Sequence, residues 1–289
     1  MASTQQLKSR IRSVKSTKQI TKAMQMVAAS KMRRAQEATK SSQAYTMAAR
    51  ELLTYLAAQG VTNGHKWFTV RPVKSRLLIV VASDKGLAGA YNANILKAYV
   101  RELKADDAAN IANKTIAVGR KIAQAATRIK DTEIVGTYED LPDHFSGAEF
   151  HAILNTAKDL FEAGQVDAVD VIFTRFVSSL TQRADVVRLF PAGFTPTDDV
   201  QPDIAEAKFE PSPKQIIDDI AYRLISARLF QALMDSRASE HSMRMLAMKN
   251  ATDNATDLVD ALTLEMNKAR QAAITQELTE ISAGVEAMR

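Results

Sequence analysis

The 289-residue sequence predicts an α/β domain inserted between two long helices, one at each end, that pair as an antiparallel coiled coil. Three observations carry this reading. All seven prolines and nine of the ten glycines fall within residues 60–213, so the flanking segments 1–59 and 214–283 lack both helix breakers. All eleven methionines lie outside that middle segment. Apolar residues recur at helical 3- and 4-residue spacing in the flanks, whereas short apolar runs alternate with helical patterns in the middle.

The first segment, 1–59, reads as a helix of up to roughly 88 Å. Its apolar residues come in short pieces: Leu7, Ile11, Val14; Ile20, Met24, Val27; Ala28, Met32, Ala35; and Tyr45, Ala49, Leu52, Leu56. Between pieces the register slips, the pattern of nearly straight helices in contact. Gly60, Asn63 and Gly64 end the segment.

Within 60–213, the run RLLIVVAS (76–83) is a strand of the continuously apolar kind buried on both faces. Helix (92–104), strand (114–118), helix (120–129), strand (133–137) and helix (147–163) follow, then strands at 169–178 and 184–190. Such alternation argues for a Rossmann-like, largely parallel sheet. Residues 191–213 form a proline-punctuated link.

The last helix is predicted from Pro213 with Ser212 as N-cap and Gln215 three residues on, and Gly284 is expected to end it. At about 1.5 Å per residue, 214–283 would reach roughly 105 Å, too long for one globule to bury. Its stripe runs through Ile217, Ile220 and Leu224, then Val259, Leu262, Met266, Ala269 and Ala273. After a one-residue slip come Ile274, Leu278, Ile281 and Val285. Being longer than its partner, this helix should overhang and present a partly apolar tip, which calls for a surrounding sleeve.

Composition narrows the function. There is no cysteine, which excludes disulfides, thiolate catalysis and cysteine-bound metal. No run of 18 apolar residues and no apolar signal core occur, so the chain is expected to be cytosolic by itself, with no membrane insertion of its own. The net charge of +5 hides an asymmetry: 1–59 carries eleven bases against two acids, whereas 60–213 and 214–289 each come to −2. A concentrated basic arm implies an acidic partner.

No motif argues for chemistry. SDKGLAGAYN (83–92) stands where an α/β domain would bind phosphate, but it matches neither G-x-G-x-x-G nor G-x-x-x-x-G-K-[ST], so a tight turn is expected. His65, His144, His151 and His241 have no ligand spacing. Glu240, His241, Glu277 and Glu280 read as solvated or interhelical polar groups. The expectation is no catalytic residue, no metal and no cofactor. Methionines 24, 26, 32, 243, 245, 248 and 266 read as coiled-coil packing, or as an adaptable surface meeting several partner geometries. A nucleic-acid grip by the basic arm is the alternative. It lacks any aromatic before Tyr45 to stack on bases, and the known arms of this kind are contiguous hairpins, not the two ends of a chain.

The ends of the chain resemble one family. QITKAMQMVAASKM (19–32) is similar to the N-terminal signature of the γ subunit of bacterial F-type ATP synthases. SEH (239–241), MKNATDN (248–254) and NKARQAAITQELTEI (267–281) are similar to its C-terminal signatures, and 83–92 to its first strand–turn. Val285 departs from the family's usual alanine. The resemblance implies a non-catalytic rotor shaft: a coiled coil standing inside a ring of three α and three β subunits, with the α/β domain against ε and the membrane c-ring. Proton flow would turn the shaft and drive the β sites through their states. It implies a peripheral position on the cytoplasmic side of the cell membrane. It also implies β contacts at Lys22 and Met24, near an acidic lever segment, and at Arg270, Gln271, Thr275 and Glu277, near a catch loop. No chloroplast-type cysteine insert is present, so thiol control is not implied.

Overall fold

The computed structural model describes residues 4–58, 60–62, 64–130, 132–142, 148–193 and 212–287. Asn63, His144, Gly147, most of the 191–213 link and the side chains of Tyr45 and Val285 lie outside the described residues. Helix α1 spans Thr4–Ala58 and helix α5 spans Pro213–Ala287. Between them come β1 (Ser75–Val81), α2 (Tyr91–Ala108), β2 (Ala112–Val118), α3 (Arg120–Ala126), β3 (Glu133–Tyr138), α4 (Ala148–Glu162), β4 (Ala168–Phe176) and β5 (Gln182–Phe190). By compactness the chain divides into two units, Ala29–Met243 and the combined ends Met1–Ala28 with Arg244–Arg289.

In the larger unit five strands form one sheet in the order β3-β2-β1-β4-β5. The first four are mutually parallel, and β5 returns antiparallel to β4 at the edge. That antiparallel edge is the one departure from the expected parallel sheet; only five residues separate β4 from β5, too few for a crossover. β1 is buried on both faces, as its unbroken apolar run requires. One face packs on α2 and α3 through Leu78, Val80, Ile95, Tyr99, Ala117 and Ile122. The other packs through Leu77, Ile79, Val169 and Val171 on Ile153 and Phe161 of α4 and on Ile225, Leu229 and Leu233 of α5. A segment of α5 is therefore core on several sides, which accounts for its long run of buried residues from Leu224 to Ser242.

At the foot of this unit, Ala49, Leu53 and Leu56 of α1 meet Ile217 and Leu224 of α5. Leu53, not the expected Leu52, is the buried member. α1 stops as predicted at Gly60, whose φ of 74° only glycine adopts freely. The Gly60 N–H donates to the Ala57 carbonyl and Val61 N–H to that of Leu56, and Val61 packs beside Leu56. This is a Schellman cap with its hydrophobic contact.

A charged network closes the N-terminal end of the sheet. The Arg76 guanidinium bonds Asp170 at 2.5 Å, Asp106 at 3.0 Å and Glu102 at 3.2 Å, and Arg188 also bonds Asp170. Burial holds the Asp106 carboxyl above its ordinary range despite Arg76, and its Oδ2 has no partner.

In the smaller unit, described over 4–28 and 244–287, Leu7 and Ile11 pack on Val259 and Leu262, flanked by Val14, Met266 and Ala269. The Thr252 and Thr21 hydroxyls lie 2.8 Å apart across the seam, and the Thr252 hydroxyl is also 2.8 Å from the Met248 carbonyl. Counting equal steps away from that pair brings Val14 level with Val259, Ile11 with Leu262 and Leu7 with Met266, so the helices run antiparallel. α5 passes straight through Gly284, contrary to expectation: a Cβ there would meet nothing within 4 Å, and the residue is not in the left-handed conformation of a helix cap.

Candidate functional site

The first place to look in a doubly wound sheet is the crevice between strands that diverge at their C-terminal ends, here β1 and β4. Its usual phosphate loop is committed to itself. The Ser83 N–H and hydroxyl both bond the Asn92 side chain, and the Ser83 hydroxyl donates to the Lys85 carbonyl. Leu87 and Gly89 take φ of 62° and 56° to make the turn. Asp84 is engaged by the backbone N–H groups of Arg120 and Asp140. Beside this turn, Gly119 could not carry a Cβ, which would stand 2.3 Å from the Ala82 carbonyl oxygen. The crevice itself is entered by α5, whose Ser236 accepts hydrogen bonds from the Tyr91 hydroxyl and the Thr174 N–H. The turn reading holds.

Of the three described histidines, two have structural partners in view and the third is buried. His65 Nε2 lies 2.6 Å from Asp218, His151 Nδ1 lies 2.9 Å from the Tyr222 hydroxyl, and His241 is buried. Among the described residues no group of three or more His, Cys, Asp or Glu is placed to hold a metal.

What remains is the outer surface of the coiled-coil unit, and here burial corrects the stripe read from sequence. On α1 the residues turned inward are Leu7, Ile11, Val14, Lys18, Thr21, Gln25 and Ala28, a strict 4,3 repeat with three polar members. On α5 they are Met248, Thr252, Ala255, Val259, Leu262, Met266 and Ala269, again 4,3 without a slip. Ile20 and Val27, expected in the seam, are 57% and 56% exposed. The seam is that of a heptad coiled coil, and the apparent slip came from apolar residues that face outward.

Two flanks of different chemistry result. Lys8, Lys15 and Lys22 follow the seam residues Leu7, Val14 and Thr21, so they form one exposed row seven residues apart. On α5, Lys249 and Arg270 stand in the same relation to Met248 and Ala269, which in an antiparallel pair is the same flank. Lys22 reaches Gln25 at 3.4 Å, and among the described residues no ion pair involves any of these five bases. Two positions along a helix turn about 200°, so Met24 lies on the flank opposite Lys22. There it is half-buried beside the row of Ile20 and Val27. The exposed Leu258 precedes the seam residue Val259 and faces this second flank.

The predicted C-terminal residues fall on the overhang. From Arg270 to Gly284 every residue is exposed. Arg270, Ile274, Glu277 and Ile281 share one face at 4, 3 and 4 spacing. Gln271, Thr275 and Leu278 share the adjacent one, with the Thr275 hydroxyl donating to the Gln271 carbonyl at 3.0 Å. Ile274, Leu278 and Ile281 are 49%, 60% and 64% exposed, an apolar stripe in open solvent. Lys22 and Met24 thus lie along the paired part of the unit and the other four residues beyond it. Lys8, Lys15, Lys249 and Leu258 were missed; the seven-residue recurrence of lysine was the signal that could have found the first two.

Comparison with known proteins decides the family. A family model described as ATP synthase matches residues 3–288. A relative from Desulforamulus reducens named ATP synthase gamma chain is 38% identical over 288 residues, covering 100% of both chains. The chain belongs to the ATP synthase gamma-chain family. Another gamma chain, from Glaesserella parasuis, is 37% identical over 289 residues with 100% coverage of both chains. Among solved structures, a chain of the Euglena gracilis mitochondrial ATP synthase has a TM-score of 0.67 at 18% identity, covering 99% of this chain and 94% of that one. A chain of the Tetrahymena thermophila central stalk and c-ring has a TM-score of 0.61 at 23% identity, covering 80% of this chain and 99% of that one. These two show the fold. Nothing in these likenesses supports the nucleic-acid alternative.

Proposed function

We propose that the chain is the central rotor shaft of a proton-translocating F-type ATP synthase. It couples ion flow through the membrane sector to ATP synthesis or hydrolysis at the β subunits by rotation. The shaft breaks and forms no bonds in the substrate; it is a non-catalytic subunit that favours one conformation of whichever β subunit it faces. Its partners are three α and three β subunits, ε and the c-ring. It acts as a peripheral subunit on the cytoplasmic side of the cell membrane, and no described helix is long and apolar enough to cross a membrane. Segments 1–59 and 214–289 serve as the shaft, and 60–213 as the domain that meets ε and the c-ring.

One observation carries this reading: α5 continues past its α1 partner with an apolar stripe exposed and no described residue of its own chain covering it. A sleeve supplied by other subunits removes that stripe from water. Lys22 and Met24 meet the β lever segment, and Arg270, Gln271, Thr275 and Glu277 meet the catch loop. The two-flanked cross-section supports a directional role. At each β subunit a turn of the shaft brings first an unpaired basic row, then an apolar one. Charge attraction on such a surface is short-ranged, with a Debye length of about 8 Å at physiological salt, so contacts re-form at each step without locking.

Arg270→Ala tests the assignment. Arg270 is exposed and without an ion pair among the described residues, so the isolated chain should melt unchanged. In the assembled membrane complex, proton-driven ATP synthesis per complex should fall; undiminished synthesis would sink the role given to this residue.

A further inference from the structure

The sheet and α5 are joined by a ladder of buried serines at a place where the sheet's own pairing runs out. β1 pairs with β4 only as far as Val80 opposite Ile172, while its pairing with β2 on the other side runs on, with Ala82 N–H donating to the Val118 carbonyl. Thr174, two residues further along β4, therefore turns a backbone N–H and C=O toward an empty strand position, in an interior where an unpaired pair of such groups is costly. Both are taken up by α5. Ser236 Oγ accepts the Thr174 N–H at 3.2 Å, and Ser239 Oγ donates to the Thr174 carbonyl at 3.2 Å. One turn on, Ser242 Oγ donates to the Ser179 carbonyl at 2.7 Å and accepts from the Gln182 amide at 3.2 Å, holding the β4–β5 hairpin. Tyr91, the first residue of α2, adds its hydroxyl to Ser236 at 3.1 Å. The three serines are 1%, 0% and 0% exposed.

We propose that Ser236, Ser239 and Ser242 are positioning residues that fix the angular and axial setting of α5 against the sheet, so that the α/β domain and the shaft helix turn as one body. The role rests on the rotor reading above. An apolar helix face on a sheet tolerates sliding and small rotation, because dispersion contacts re-form with new neighbours. A hydroxyl bonded to one backbone group does not: beyond about 3.5 Å, or with poor alignment, the bond is lost. Three hydroxyls at 236, 239 and 242, bonded to two segments of the sheet, oppose twist about the helix axis and translation along it together. The small side chain also lets the helix approach the strand edge closely enough for a hydroxyl to stand in for a missing strand. Ordinary packing asks for none of this, since alanine would fill the same volume.

The test uses the chain assembled with α, β, ε and the membrane sector in vesicles. It compares wild type, Ser236→Ala with Ser239→Ala, the peripheral Ser242→Ala, and Ser239→Thr, which keeps the hydroxyl. Two quantities are read: hydrolysis rate per complex, and protons pumped per ATP from acid quenching. The double variant should keep hydrolysis within about twofold yet pump several-fold fewer protons per ATP, with Ser242→Ala intermediate and Ser239→Thr close to wild type. In the free chain, hydrogen exchange of the Thr174 amide should speed up by at least about tenfold in the double variant. Unchanged protons per ATP with a deprotected Thr174 amide would overturn the proposal, as would hydrolysis and pumping falling in equal proportion, the mark of a merely structural role. A wild-type chain unable to restore hydrolysis to α and β would overturn the rotor reading instead, and is told apart by arising before any substitution.

Discussion

Arg76→Met removes the hub of the most heavily charged interior site in the described structure. Arg76 is 9% exposed and faces Asp170 at 2% and Asp106 at 4%, with Glu102 at the margin. Removing one partner of a buried pair costs about 3–5 kcal/mol, because the remaining charge stays desolvated. The lower end applies here, since Arg188 still bonds Asp170. For a unit of this size about 3 kcal/mol corresponds to a fall in Tm of roughly 6–12 °C. Trp67, the single tryptophan and buried beside Phe190, reports the transition by fluorescence. The gap to wild type should narrow as pH falls toward 5. The Asp106 pKa, already raised by burial, rises further without Arg76, so the folded variant takes up a proton that the unfolded chain binds only at lower pH. A loss below about 1 kcal/mol at pH 7, or a gap independent of pH, would refute the argument.

Two other outcomes are expected. Asp235 on α5 is 8% exposed, and burial lifts its pKa from 3.8 to about 6, against a weaker opposing pull from Arg175. A raised carboxyl favours the protonated folded form, so wild-type stability should decline between about pH 4 and pH 6 by about 3 kcal/mol and then level off. Asp235→Asn should flatten that decline in a urea-denaturation series and be the more stable form at pH 8; a variant that still declines in parallel with wild type would contradict it. Replacing Lys8, Lys15 and Lys22 together by Gln should leave the Tm of the isolated chain nearly unchanged, as exposed unpaired charges contribute within about 0.5 kcal/mol. The salt dependence of ATPase activity in the complex with α and β should flatten, and a slope equal to that of wild type would remove the basic row from the contact.

Most of the architecture could be read from composition and local pattern, because the signals involved are local ones. Glycine and proline placement marks helix limits directly, and β1 announces a strand buried on both faces by having no polar residue between Leu77 and Ala82. Failures occurred where the deciding fact lies elsewhere in the chain. Hydrophobicity placed Ile20 and Val27 in the seam, but the facing residues select Lys18, Thr21 and Gln25. Thr21 is accepted there because Thr252 bonds it. Gly284 looks like a stop, yet a glycine ends a helix only where the chain must turn, and nothing packed nearby asks it to. The direction of β5 is absent from its own residues and follows from the short hairpin before it. The serine ladder reads as three unremarkable helix residues until Thr174 is known to lack a neighbour strand. Lys22 and Met24 could be named from the family signature, but their placement on opposite flanks came only from the seam.

The unaccompanied end of α5 has a thermodynamic consequence. Past Arg270 the helix is held only by its own backbone hydrogen bonds and a few side-chain ones within the helix, such as Gln276 to Glu280, with no other described residue of its own molecule covering it. Most helical stability in proteins comes from packing one face on other elements, and this segment has no such face covered among the described residues. Order at this tip is therefore largely on loan from whatever encloses it, and part of the enclosure's binding energy is spent on keeping the segment helical. Affinity for the enclosure and helical propensity of the last five turns become one linked quantity. A change such as Gly284→Ala, which touches nothing, can then alter assembly by acting on the chain before it is enclosed.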